Sequence, residues 1–424
     1  MVAESNVQFI CSDNLGAPVV TDSWGSLISA LNTALVSGLL LPSVNLTSID
    51  NGVMKITFSA THKLKLFQVV DLIGFTPESL NGKWRIIGVE DNQSISIDCN
   101  ATVVSSVGSV SVSALGYDKV FEGTNKSVYR CKDTEKQYRP FLRFDCSQPS
   151  NYVATTAKFA RVGLMTECTS IDDVASGITL PFDPSKPDEN WVSTGSGTAA
   201  TTFWAKWVYS EERLSSANSD ATFQYATTGN KKWTIIGDDQ AFYLIIASSN
   251  NKPTLKQVYG IGVYDKLRPT EFPYFIGCVP FRGVLSGYTY INETATEGQG
   301  LYPWRGWVYA AATSTQATLC NGEVTSRVLV TNKNGNTEYS GTQFGKDTPY
   351  AAVDGPTLTD QYITNGYRGR FKHIKHSLTN LNSSEDFKTM SFDGGMFLIE
   401  PSAFKGIMGT ASTVHGIPFY LGGL

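Results

Sequence analysis

The sequence is short of charge. Asp, Glu, Lys and Arg make up 17% of its 424 residues, below the roughly 25% usual for a soluble domain. Neither sign is in excess: 34 Lys and Arg stand against 38 Asp and Glu, a net charge of −4. A chain without a basic surplus lacks the means to hold a phosphate backbone by counterion release, so nucleic acid is not an expected partner. Long apolar runs are missing too. The longest, 241–247, and an interrupted one at 34–41 fall far below the ~20 residues that span a bilayer, so no membrane span is expected. The first residues carry Glu4 and no basic cluster ahead of an apolar stretch, which does not read as a cleavable leader.

Cysteine patterning is equally sparse. The seven cysteines are Cys11, Cys99, Cys131, Cys146, Cys168, Cys278 and Cys320. Their number is odd and no two stand at C-x-x-C spacing, which excludes a zinc ribbon or thioredoxin-like motif. Buried free thiols in a chain made in a reducing cytoplasm are expected. The Asn-x-Ser/Thr triplets at 45–47 and 292–294 then read as loop composition.

Catalytic signatures are also lacking. There is no phosphate-binding G-x-x-x-x-G-K-[ST], and the glycines of 287–300 follow no strand-loop-helix pattern. No G-x-S-x-G elbow is present; Gly195-Ser196-Gly197 lies in a polar stretch. The histidines are His62, His373, His376 and His415. His373-x-x-His376 sits in a basic segment that reads as strand or loop, where residues three apart point to opposite faces, so a solvated basic loop is expected rather than a metal site. Asp172/Asp173 and Asp238/Asp239 are adjacent pairs. Neighbours on a strand diverge, and Asp in a turn usually bonds its own backbone, the role expected for Asp238. Trp204-x-x-Trp207 and Trp304-x-x-Trp307 could form a sugar platform, but in strands the partners again diverge, favouring core and subunit contacts. No catalytic, cofactor-binding or metal-ligating residue is therefore assigned, no cofactor is expected, and the chain does not read as an enzyme.

What is abundant is hydrophobic (41%) and aromatic (12%) side chains, a balance that suits sheets and contact surfaces. One early segment has helical spacing, with Leu27, Ile28, Leu31 and Leu35 on one face. Asp22 and Ser23 are its candidate caps, Gly38 its stop and Pro42 a breaker beyond. From Asn45 the period becomes two. Strands are predicted at 53–59, 67–73, 84–89, 94–98 and 107–112, with Asn81-Gly82 as a hairpin signal. Further strands are predicted at 117–129, 139–145, 157–168, 203–209, 232–236, 240–247, 257–264, 274–279, 304–312, 327–331 and 394–400. Turns are predicted at 237–239 and at 332–336, the latter with Asn334-Gly335 at its tip, and extended loops at 181–188 and 193–202. The expected architecture is mainly β: several β-sandwich or barrel-like units with a short N-terminal helix. It divides into an N-terminal strand and helix segment (1–44), a small β module (45–115), a main β-sandwich domain with long loops (116–340) and a C-terminal segment that completes or docks on it (341–424).

Several segments, in chain order, resemble a group of virion structural proteins of tailed bacteriophages and prophages. They are the helix at 23–36 after Gly16-Ala17-Pro18, the module segment 76–84 with Trp84 at its end, and the stretch 117–130, the most specific of them. Phe141-Leu142-Arg143-Phe144-Asp145, the Trp-to-Gly-Asp hairpin of 233–243, and Lys405-Gly406-Ile407-Met408-Gly409 before a Pro-containing strand complete the series. The loops at 181–188 and 193–202 are longer than that family's core needs. The resemblance implies a tail, neck or baseplate component without defined catalytic residues, made in the host cytoplasm and localised in the virion. It implies rings or sheaths of identical subunits, with tube, portal or adaptor proteins as further partners. Low charge and many aromatics suit such buried interfaces. The alternatives are a tail-tip protein that binds a host surface receptor or glycan, and a cell-surface polysaccharide hydrolase using carboxylates such as Asp172 or Asp238.

Overall fold

A computed structural model describes residues 3–150, 152–174, 176–177, 179–180, 191, 205–211, 226–250, 256–266, 273–277, 308–313, 316–320, 357–360, 366–370, 372–374, 379–381, 387–392, 394–402 and 414–424. The fold is mainly β with one short α-helix. The loops at 181–188 and 193–202, the segments 287–300, 327–336 and 405–409, and Trp204, Trp304, Trp307, Cys278 and His376 lie outside the described residues.

β1 (Gln8–Cys11) precedes helix α1 (Ser26–Asn32), which continues as a wider turn over Thr33–Ser37. The helix buries Leu27, Ala30 and Leu31, as its spacing predicts. Its expected caps are a correction. Gly25 occupies the cap position at φ 87° and neither Asp22 nor Ser23 caps the helix through its side chain. The Tyr209 hydroxyl takes over: it accepts the Gly25 N–H (3.2 Å) and donates to the Ser23 carbonyl (3.1 Å). A distant aromatic thus satisfies a backbone donor that local chemistry was expected to satisfy. Gly38 does end the helical segment. Its φ is 67°, and a Cβ there would lie 2.1 Å from the Val112 carbonyl oxygen.

A curled sheet follows, built from β2 (Leu39–Leu40), β3 (Val44–Asp50), β4 (Val53–Phe58), β5 (Val69–Ile73), β6 (Gly82–Val89), β7 (Ser94–Asp98) and β8 (Ser109–Val112). The spatial order is β2-β8-β5-β6-β7-β4-β3. The two ends, β2 and β3, are consecutive in the chain, so the sheet bends back towards itself. Its inward residues, among them Met54, Ile56, Val70, Leu72, Ile86, Ile95, Ile97, Val110 and Val112, are buried. One turn expectation is corrected here. The primed Asn-Gly turn is Asn51-Gly52 (φ 50° and 82°), which folds β3 onto β4 with Asp50 facing Val53. At Asn81-Gly82 no such turn forms: Asn81 is extended at φ −75° and ψ 142°, and Gly82, at φ 119°, begins β6. Asn81 instead pins the longer β5–β6 loop, accepting from the Phe75 N–H (2.8 Å) and donating to the Phe75 carbonyl (3.0 Å).

A second sheet comprises β9 (Tyr117–Gly123), β10 (Lys126–Cys131), β11 (Phe141–Asp145), β12 (Lys158–Met165), β13 (Thr179–Leu180) and β14 (Lys206–Ser210). The single strand predicted over 117–129 is a hairpin: Gly123 faces Lys126 across a turn in which Asn125 takes φ 59°. A short polar residue tolerates that conformation, which a run of alternating residues does not reveal. β9 is an end strand and exposes Asp118, Lys119 and Glu122; Lys119 pairs with Glu122.

A central sheet, of seven strands like the curled one, runs β1-β15-β16-β17-β19-β20-β21, with β15 (Trp233–Gly237), β16 (Ala241–Ile246), β17 (Gln257–Val263), β19 (Tyr274–Gly277), β20 (Val308–Thr313) and β21 (Gln316–Cys320). β18 (Asp265–Lys266), β22 (Thr357–Asp360) and β23 (Gly366–Arg370) form a three-stranded sheet. β24 (Thr379–Leu381), β25 (Lys388–Phe392), β26 (Gly395–Ser402) and β27 (Val414–Gly423) form a four-stranded one.

The central sheet is the middle layer. Phe242, Leu244 and Ile246 share a core with Phe144, Trp207 and the inward side of the curled sheet. The alternate residues Ala241, Tyr243 and Ile245 share another with Met396, Leu398, Phe419 and Leu421 of the C-terminal sheet. Covered on both faces, β16 is therefore apolar at every position. Trp207 centres the first core. It stacks on Tyr259 (ring centroids 5.3 Å apart, 15° between planes) and meets Phe144 and Phe242 edge-on.

Candidate functional site

The carboxylate pair Asp238/Asp239 sits in the turn between β15 and β16, where the sequence places it. Asp238 Oδ1 accepts from the N–H groups of Gln240 and Ala241, both at 2.8 Å. The turn is tight: a Cβ on Gly237 would lie 2.1 Å from the Ala241 carbonyl oxygen. Oδ2 of Asp238 faces His373 Nε2 at 3.2 Å. Burial alone would raise the Asp238 carboxyl, but His373, Lys372 and the turn N–H groups hold it well below the usual range. Asp239 goes the other way. Burial and the Asp238 charge raise it, against Lys136, 3.6 Å away. His373 is thus not a solvated loop residue: it contacts a buried carboxylate, and its own φ of 65° is left-handed. The Tyr243 hydroxyl donates to the Lys372 carbonyl (2.6 Å), and the His373 carbonyl accepts from the Tyr420 N–H (2.7 Å). The node fastens residues 372–374 to the central hairpin and to β27.

Asp172 and Asp173 part company. Asp172 is exposed, reached by Lys126 at 2.6 Å and Arg143 at 3.8 Å. Asp173 bonds its own turn, accepting from the Thr169 N–H (2.8 Å) and hydroxyl (2.9 Å). Arg143 belongs to a cluster that sequence reasoning left unassigned. It lies over the Trp191 ring at 4.3 Å and donates to the Ile171 carbonyl at 2.9 Å. Arg161 pairs with Asp145 (2.8 Å) and donates to the Trp191 carbonyl (2.9 Å). Burial would raise Asp145, yet Arg161 and Ser147 keep it below its ordinary value. The available signal was charge set inside strands otherwise apolar, as in Arg143 and Asp145 of β11. Lys256–Glu400, a buried pair at 2.9 Å joining the central and C-terminal sheets, was missed likewise.

Five cysteines, Cys11, Cys99, Cys131, Cys146 and Cys168, are buried and unbridged. Burial pushes the Cys11 thiol up to about 12, so at neutral pH it is no nucleophile. Trp207 is core, as expected. Among the described residues no group of three or more His, Cys, Asp or Glu side chains could hold a metal ion, and no helix is long and apolar enough to cross a membrane.

These charged groups do one kind of chemistry: they tie sequence-distant strands together. The outward face of the curled sheet differs. In register, Leu40 faces Ser111, Ser111 faces Asp71, and Ile73 faces Ser109. Leu40 and Ile73 therefore share that face, about 12 Å apart by strand spacing and rise. Leu40 is 86% and Ile73 60% exposed. Leu46, on end strand β3, is 64% exposed. No family model and no curated protein matches the chain.

Proposed function

We propose that this is a structural protein that acts by packing against copies of itself, and that it builds a ring or sheath around the tail or neck of a tailed-phage virion. The observation that carries the packing role is the outward face bearing Leu40 and Ile73. Apolar side chains held on a rigid sheet, away from the core, favour burial in a partner surface. The network of buried ion pairs supports the same reading, because it keeps the layers rigid while that face docks. The particular setting, with tube, portal or adaptor proteins as neighbours, rests on the collinear resemblance of segments from 16 to 409.

The test is the size of the purified protein by light scattering and sedimentation. Large closed oligomers are expected, and the doubly charged variant Leu40→Lys/Ile73→Lys should weaken association at least tenfold without altering the melting temperature. A wild-type chain that stays monomeric at every concentration overturns the packing role. Antibody labelling of particles by electron microscopy tests the virion setting separately.

A further inference from the structure

Arg85 of β6 is 2% exposed, and among the described residues no carboxylate lies within ion-pair distance of it. Its guanidinium is held by backbone carbonyls instead. Nε donates to Glu4 (2.8 Å), Nη1 to Phe67 (2.7 Å), and Nη2 to both Val7 and Leu421 (2.7 Å each). These acceptors come from the segment before β1, from the loop between β4 and β5 of the curled sheet, and from β27, 336 residues further along the chain. Phe67 adopts φ 66°, a left-handed conformation uncommon outside glycine.

The two outer segments also touch each other. The Glu4 N–H donates to the Gly423 carbonyl (3.1 Å), and the Gly423 N–H donates to Glu4 Oε2 (3.1 Å). Burial lowers Arg85 to about 9, against the pull of Glu4, so the group is still charged at neutral pH. A buried cation whose acceptors are all carbonyls loses them expensively, because each lost acceptor strands part of the charge.

We propose that Arg85 is a latch that makes the segment 4–7 and the end of β27 open as one cooperative unit. If β27 lifts, Arg85 loses Leu421 and Glu4 loses Gly423. What remains around the guanidinium is weaker, so segment 4–7 follows. A lysine cannot substitute, since its compact ammonium cannot fork to four separated carbonyls. The inference concerns the closing of the chain on itself and does not depend on the packing role proposed above.

Hydrogen exchange of the full chain, read by mass spectrometry, tests it. In the wild-type protein under low denaturant, peptides covering 3–7 and 419–424 should converge on one opening isotherm, below that of β10–β12. In Arg85→Lys both peptides should exchange at least tenfold faster while β10–β12 are unchanged. Two distinct isotherms, convergence only with global unfolding, or acceleration of a single segment overturns the latch. Should Arg85→Lys fail to fold, the wild-type isotherms decide alone.

Discussion

β3 and β16 are strands of similar length with opposite burial. β3 of the curled sheet exposes Asn45, Leu46, Ser48 and Asp50, whereas all six residues of β16 are buried. Strand propensity does not separate them; the number of layers pressed on each sheet does. The curled sheet packs its inner face on the shared core and leaves its outer face open at Leu40 and Ile73, while at β6 segment 4–7 and β27 cover Arg85. The central sheet has a core on each side, so neither face can carry a solvated side chain. Cohesion and the proposed contact surface thereby fall in different regions.

The largest effect should come from the centre. Trp207→Ala removes the ring between Tyr259, Phe144 and Phe242 and should cost about 3–5 kcal/mol in chemical denaturation. Ile97→Val in the curled sheet should cost only about 0.5–1.5 kcal/mol. Next comes the hairpin turn of the central sheet. Asp238→Ala forfeits two backbone N–H partners and should destabilise by about 1–3 kcal/mol. Asp238→Asn keeps the Oδ1 acceptor and should recover part of that loss, the remainder reporting the contact with His373.

The smallest effect is expected in the curled sheet and depends on pH. His62 Nδ1 accepts from the Leu64 N–H (2.8 Å) while Nε2 lies 3.1 Å from the Asp91 carbonyl, which sets the neutral tautomer with the proton on Nε2. Burial lowers its pKa. The unfolded chain, at about 6.5, then binds the proton more readily than the folded one. The His62 contribution is therefore present above about pH 6.5 and is lost as pH falls through the depressed folded value. Denaturation midpoints compared at pH 7.5 and pH 5.5 should show a drop that His62→Gln diminishes. If the drop persists unchanged, His62 is not its source.

Much of this difference can be read in the residues themselves. Period-two alternation marked the curled sheet, and the unbroken apolar run at 241–247 marked the doubly covered strand. Gly38 and the Asp238 turn were legible because each acts through its immediate neighbours. The helix cap was not, because Tyr209 reaches it from across the fold. Asn81-Gly82 misled for the reverse reason: Asn-Gly permits a primed turn without requiring one, and the loop found a better bond through Phe75. The nodes at Arg85, Arg143 and Lys256 showed only as charge among apolar residues, because the partners of each lie elsewhere in the chain and only the fold brings them together.

One consequence lies in the rim of the second sheet. β9 ends that sheet with Asp118, Lys119 and Glu122 facing water. An incoming strand would have to dehydrate all three before gaining a single ladder bond. Growth of the sheet by edge-on addition at that rim is thereby discouraged.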